Sequence, residues 1–143
     1  MPRSKAPRKP HRPRAVGRPV MERMRRELIL PAYLGLTTLM QSDDKAALEE
    51  AMSSVVVLVN YMSRALAESR REYAPVELAK DALLSMIARQ RSKGVYRPTG
   101  EELKVLRAAV SHCDEQLPYL DTARITDALL YVDRVMQRMG VEA

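Results

Sequence analysis

Leu48, Met52, Val55, Val59, Met62 and Leu66 recur at spacings of 4, 3, 4, 3 and 4. A β-strand cannot put all six on one side, because its side chains alternate with period 2. A 3.6-residue helix lines them up. The stretch therefore reads as a helix with an unbroken a/d seam. Val56 and Val57 widen the apolar face, which points to a helix in a globular bundle rather than a two-stranded coiled coil. A helix so patterned needs partners to cover it, and the rest of the chain supplies them. There are nine Met, no Phe and no Trp, and only 5 Gly in 143 residues, a stock that favours helices over an aromatic-rich β sandwich.

Four further segments carry helical periodicity. From Val20, Met21, Met24 and Leu28 share a face, with Arg23, Arg25 and Arg26 elsewhere on the turn. Pro31 kinks this helix or starts a new one, and Ala32–Met40, apolar nearly all round, reads as buried on several sides. Ser42, Asp43 and Asp44 form a cap cluster before the seam helix, and Arg64, Arg70 and Arg71 gather at its far end. Pro75 is expected to open the third helix, with Ala79, Leu83, Met86 and Ile87 inward and Gly94 as its C-cap. Val95-Tyr96-Arg97-Pro98 is an extended link. Thr99 and Glu102 then form a capping box ahead of Leu103, Leu106, Val110, Cys113 and Leu117. Pro118 stops that helix. Asp121 or Thr122 caps the last one, with Ile125, Leu129, Val132, Met136 and Met139 inward and Gly140 at its end. The expected fold class is all-α, a four- to five-helix bundle over residues 19–143 preceded by an extended basic arm, residues 1–18.

The arm is defined by charge. Residues 1–18 contain Arg3, Lys5, Arg8, Lys9, Arg12, Arg14 and Arg18 and no acid; the remaining 17 basic and 18 acidic residues leave the body at −1. Pro2, Pro7, Pro10, Pro13 and Pro19 remove donors and favour extended backbone. Spaced cations on an extended chain can follow a phosphate backbone and release its counterions, or lie on an acidic protein surface. The arm holds no aromatic, so binding by it is electrostatic. It does not read as a signal peptide: the charged region is too long, Pro31 breaks Leu28–Met40, and no small-residue cleavage site follows. That apolar run is also short of the ~20 residues of a membrane span. The reading is cytoplasmic, with no membrane partner.

A second basic group, Arg89, Arg91, Lys93 and Arg97 with Tyr96 among them, clusters at the end of the third helix and in the link. It either complements the helix dipole or contacts a nucleic acid or acidic partner. The link is too long, and contains Pro98, for a helix-turn-helix.

Enzymatic chemistry finds little support. One Cys excludes an intramolecular disulfide and Cys-based zinc sites. His112, Cys113 and Asp114 are consecutive on a helix and diverge by about 100° each, so they do not converge on a substrate; Cys113 falls on the apolar seam. Asp43-Asp44 and Glu101-Glu102 read as caps and Glu49-Glu50 as a solvated face. Glycine-rich phosphate loops and Gly-x-Ser-x-Gly are absent. No catalytic residue, cofactor, metal or small-molecule substrate is expected.

Arg12-Pro13-Arg14-Ala15-Val16 in a basic arm, with Thr99-Gly100-Glu101-Glu102-Leu103 and Asp114-Glu115-Gln116-Leu117 in a penultimate helix, resembles a scattered group of small phage- and prophage-encoded proteins of unknown role. The similarity covers the arm and roughly residues 97–130. It implies a phage accessory setting and supplies no catalytic residue. The expected function is non-enzymatic binding of nucleic acid through the arm; the alternative is a module that modulates or inhibits a host or bacterial complex through its helical body. The wide apolar face and the methionines leave room for a homo-oligomer.

Overall fold

The computed structural model describes residues 17–66, 70–95, 97–120 and 122–138; the side chains of Arg18, Arg70, Arg71, Thr122, Leu129, Val132, Val135 and Met136 are outside the description. Arg18–Met24 (α1), a π-helical stretch Arg25–Ile29 and Leu30–Gln41 (α2) run on without a break. Lys45–Ala65 (α3), Arg70–Lys93 (α4), Gly100–Gln116 (α5), a 3₁₀ turn Leu117–Tyr119 and Thr122–Arg138 (α6) follow. The described residues thus form five helical bodies and no strand, an all-α bundle.

Pro31 stands in the first turn of α2, directly after the π-helical stretch, so the second of the two expected outcomes holds, although the helical backbone is continuous from α1. It has no N–H for the Glu27 carbonyl and its ring would crowd that oxygen. The backbone widens to the π form just before it, with the Leu30 N–H reaching back to the Arg25 carbonyl. A single π turn absorbs the proline and the helix continues. Pro75 differs from expectation. The helix begins earlier, at Arg70, and Pro75 lies inside it, where it removes the single bond to the Arg71 carbonyl. The C-cap is as read: Gly94 takes φ +71° and donates to the Gln90 carbonyl at 2.7 Å, in the left-handed region where glycine is unstrained.

α3 is the centre. It packs on α2, α4, α5 and α6. Met52, Val55, Val59, Met62 and Leu66 of the seam are buried, and Leu48 packs against the core from a half-buried position. A second stripe, Ala51, Leu58, Tyr61 and Ala65, is equally buried; the face widens through these residues more than through the half-buried Val56 and Val57. Val55, Val56, Val57 and Val59 are poor helix formers locally, so this segment is helical because burial on several sides outweighs propensity. α5 follows its pattern closely: Leu103, Leu106, Val110, Cys113 and Leu117 are buried. In α4, Ala79, Leu83 and Met86 are buried, joined by Val76 and Ala82, while Ile87 is half-buried. In α6, Ile125 and Ala128 are buried. The expected inward roles of Leu129, Val132 and Met136 concern side chains outside the description, and Met139, Gly140 and Asp121 lie outside the described residues.

α2 is one-sided rather than buried all round. Ala32, Gly35, Leu36 and Leu39 face the core, whereas Leu30 and Leu34 are 52% and 59% exposed. The reason is topological: among the described residues α2 packs chiefly on α3 and α5, and these cover one side of it.

Candidate functional site

The side-chain contacts fix which ends of the helices lie together. Arg97 in the link reaches Asp43 in the α2–α3 turn at 3.5 Å, so the C-terminal end of α4 and the N-terminal end of α5 share one pole with that turn. At the other pole, the Tyr61 hydroxyl near the end of α3 donates to the Met24 sulfur at 3.9 Å. There too, Arg25 meets Asp114 of α5 at 2.9 Å, and the His112 Nε2 lies 2.7 Å from the Glu72 carbonyl of α4. The start of the first helix and the second basic group of the sequence therefore lie at opposite poles. The arm joins the body at Gly17, and the 89–97 group sits at the far pole, separated by the 24 residues of the continuous first helix, about 36 Å at 1.5 Å per residue.

At the far pole, Thr99 caps α5 as its spacing suggested. Its hydroxyl accepts from the Glu102 N–H at 3.2 Å and the Glu102 carboxylate accepts from the Thr99 N–H at 2.8 Å. Arg89 completes the arrangement. Its Nη1 donates to the Glu102 carboxylate at 3.3 Å and its Nη2 to the Arg97 carbonyl at 3.1 Å, and Nη2 also contacts Glu102. The Arg89 hydrogen bond holds the Glu102 carboxyl below its ordinary range, and the same bond raises the guanidinium. Arg89 thus closes the α4–α5 link internally. Arg97 is shared with Asp43. Of the second basic group only Arg91 and Lys93 are exposed without an ion pair among the described residues, and Tyr96 lies outside those residues. This pole offers two unengaged cations rather than a surface of four.

At the arm-bearing pole, Arg3, Lys5, Arg8, Lys9, Arg12 and Arg14 lie outside the described residues. Arg18 is the first residue of α1, so helix begins at the last residue assigned to the arm. Beyond it, Arg23 pairs with Glu27 at 3.2 Å and Arg25 with Asp114. Arg26 is exposed with no ion pair among the described residues. Arg26 extends the cationic run onto structured helix. The sequence signal for it was present in Arg25-Arg26, but which of the two would be engaged depended on where α5 packed. Elsewhere Arg64 pairs with Asp127 at 2.9 Å and lies 5.3 Å from the Tyr131 ring centroid.

The nucleophile question has a clear geometric answer. Cys113 is buried, and burial pushes its thiol up to about 12; an enclosed thiol that resists ionisation is a packing residue. His112 faces the Glu72 carbonyl, away from the thiol's seam. Among the described residues, no three His, Cys, Asp or Glu side chains come together in a way that could hold a metal ion. No described helix is long and apolar enough to cross a membrane.

The outer side of the α2–α3 hairpin carries a shallow groove of about 270 Å³. Pro31, Leu34 and Thr38 form one wall and Ala47, Glu50 and Ser54 the other, with Gly35 and Ala51 between them. The arrangement as a whole is that of an all-α bundle in which ion pairs such as Arg25–Asp114, Arg64–Asp127 and Arg89–Glu102 tie helices together. No protein-family model matches the chain, and neither a curated protein nor a solved structure matches it.

Proposed function

We propose that this protein is a non-enzymatic, cytoplasmic accessory protein that binds nucleic acid through its basic N-terminal arm, with the bundle as the body that carries it. The observation that carries the reading is the segregation of charge. Seven cations and no acid occupy residues 1–18, while the body is at −1 and many of its arginines are engaged in ion pairs with its own acids. The excess of positive charge therefore belongs to the arm, because the body's exposed cations, Arg26, Arg91 and Lys93 among them, are balanced in number by its acids. The resemblance of the arm and of residues 97–130 to small phage-encoded proteins supports a phage accessory setting.

The test is a salt titration of binding to a nucleic-acid oligomer. Seven phosphate contacts give a slope of log affinity against log salt of about −5 to −6, at ~0.7–0.9 per phosphate. Charge reversal of Arg8, Lys9, Arg12 and Arg14 together should flatten that slope by more than half. A slope near zero for the unaltered protein removes the proposal.

A second reading, docking of the helical body on a protein complex or on another copy of the chain, is favoured by one observation: the groove beside the exposed Leu30 and Leu34. Leu34→Glu would abolish such docking and leave nucleic-acid binding intact.

A further inference from the structure

The outer side of the α2–α3 hairpin combines a ridge with a groove. Arg26, Leu30 and Leu34 follow one another at a spacing of four along the first helix, so they share a face. All three are exposed. Beside this ridge lies the groove of about 270 Å³ whose floor is Gly35 and Ala51. Its α3 wall carries Glu50, exposed and without an ion pair among the described residues. Arg26 is likewise exposed and unpaired there. Within one chain the two cannot meet: Gly35 faces Ala51 next to Glu50, and Arg26 lies nine residues before Gly35, about 13 Å along the helix.

Charge also separates along the hairpin. Residues 18–27 hold four arginines and two glutamates, whereas residues 41–50 hold four acids and one lysine. Two such faces laid parallel would set like ends together. Laid antiparallel about a two-fold axis, they set the basic end of each against the acidic end of the other. The groove fixes the alignment. With the axis midway between Leu30 and Leu34, each leucine is level with the other one of the second copy. The leucines then lie over the stretch from Pro31 to Gly35, where the groove is deepened by the missing Gly35 side chain. Arg26 falls four residues further on, about 6 Å, level with Leu39 of the second copy. Because α2 and α3 run antiparallel from the Gly35–Ala51 contact, that level is also the level of Ala47, one helical turn from Glu50.

We infer that the outer face of the α2–α3 hairpin pairs with the same face of a second copy of this chain. Leu30 and Leu34 of each copy enter the groove of the other, and Arg26 of each meets Glu50 of the other. This rests on the docking reading above and names the occupant of the groove. The contact is isologous, since ridge and groove, cation and acid, all lie on one face. It is also small. Two leucines and one ion pair per copy fall short of the ~800 Å² per partner of a stable interface. The pair is therefore reversible, and on dilution the single chain with an exposed Leu34 prevails.

Sedimentation velocity of the full chain from about 5 to about 500 μM, the range in which a small interface dissociates, provides the test. The 16.2 kDa chain should pass to a species of twice that mass as concentration rises. Leu34→Glu should stay single throughout. Arg26→Glu and Glu50→Arg each set like charges together at two symmetric places and should weaken association about tenfold. The double variant Arg26→Glu/Glu50→Arg should recover it, because the swapped charges meet again. All four variants alter exposed side chains and should keep one circular dichroism spectrum. An unaltered chain that stays single throughout overturns the inference and leaves the docking reading to a different protein. Association that survives Leu34→Glu, or a double variant that associates no better than the single ones, overturns the inference by placing the contact elsewhere.

Discussion

Gly35 and Ala51 sit at a close approach of α2 and α3: a Cβ built on Gly35 would lie 2.8 Å from the Ala51 carbonyl oxygen. That oxygen belongs to helix backbone and cannot swing aside. Gly35→Ala should therefore destabilise the protein by about 1–3 kcal/mol, the usual cost of overpacking, despite the ~1 kcal/mol that alanine gains over glycine in a helix interior. Urea unfolding of the two proteins decides; a more stable variant would show that the helices do not pack through this residue. Glu102 is the second informative residue, serving as cap, partner of Arg89 and brace for the link at once. Its hydrogen bond from Arg89 lowers its folded value below the ordinary carboxylate range, ~4.3 when unfolded. The stabilisation is thus fully present above that unfolded value and is lost as pH falls through the lower folded one. Glu102→Gln should be less stable than the unaltered protein at pH 7, and the gap should narrow below about pH 4. A gap independent of pH would mean that the carboxylate charge has no part in the brace.

At the scale of elements, the difference between α5 and α2 is instructive. α5 carries one seam with charged residues around it, a capping box at its start and a proline after its end, and the structure keeps all three. α2 is apolar on most sides, and periodicity cannot say which side is covered. Burial now separates the two. Leu106→Ala, at a fully buried position, should cost about 2–5 kcal/mol, whereas Leu34→Ala on the outer side of α2 should stay within about 0.5 kcal/mol. Thermal melts of the pair measure this directly; equal losses would mean that Leu34 is covered in solution, as the docking reading requires. The prolines teach the same lesson. Pro75 marks a helix start in the sequence yet lies inside α4, whereas Pro31 stands at the start of α2 with helical backbone on both sides of it. One missing hydrogen bond is a smaller term than the burial of Ile29, Ala32, Val76 and Ala79 beside them.

For the whole molecule, the described core cluster begins at Met24, and the arm's excess charge lies ahead of it. A chain lacking residues 1–16 should show the same urea midpoint as the full chain, within about 0.5 kcal/mol, and a much weaker, salt-insensitive affinity for nucleic acid. A large fall in stability would place arm residues against the bundle. The two-pole layout adds a geometric expectation: Arg91→Ala and Lys93→Ala, about 36 Å from the root of the arm along the first helix, should change binding of a short oligomer far less than Arg26→Ala.

The sequence alone determined the all-α class, the seams of α3 and α5, the cap cluster Ser42-Asp43-Asp44, the Thr99 cap, the Gly94 stop and the charge imbalance; the structure chose Asp44 from the cluster, its carboxylate accepting from the Ala47 N–H at 3.1 Å. Each of these depends on local spacing or on the chemistry of a few adjacent residues. Tertiary structure decided what depends on neighbours distant in sequence. It set the second buried stripe of α3 and the exposed side of α2. It placed Pro75 inside α4. It also diverted Arg89 from the candidate binding group to Glu102 and Arg97 and brought Arg25 to Asp114, while Arg26 stayed exposed. The physical reason is that helical periodicity records which residues of one helix share a face, but not which other helix will cover that face. Likewise, a charged residue's availability is fixed only when packing has brought, or failed to bring, an opposite charge within reach.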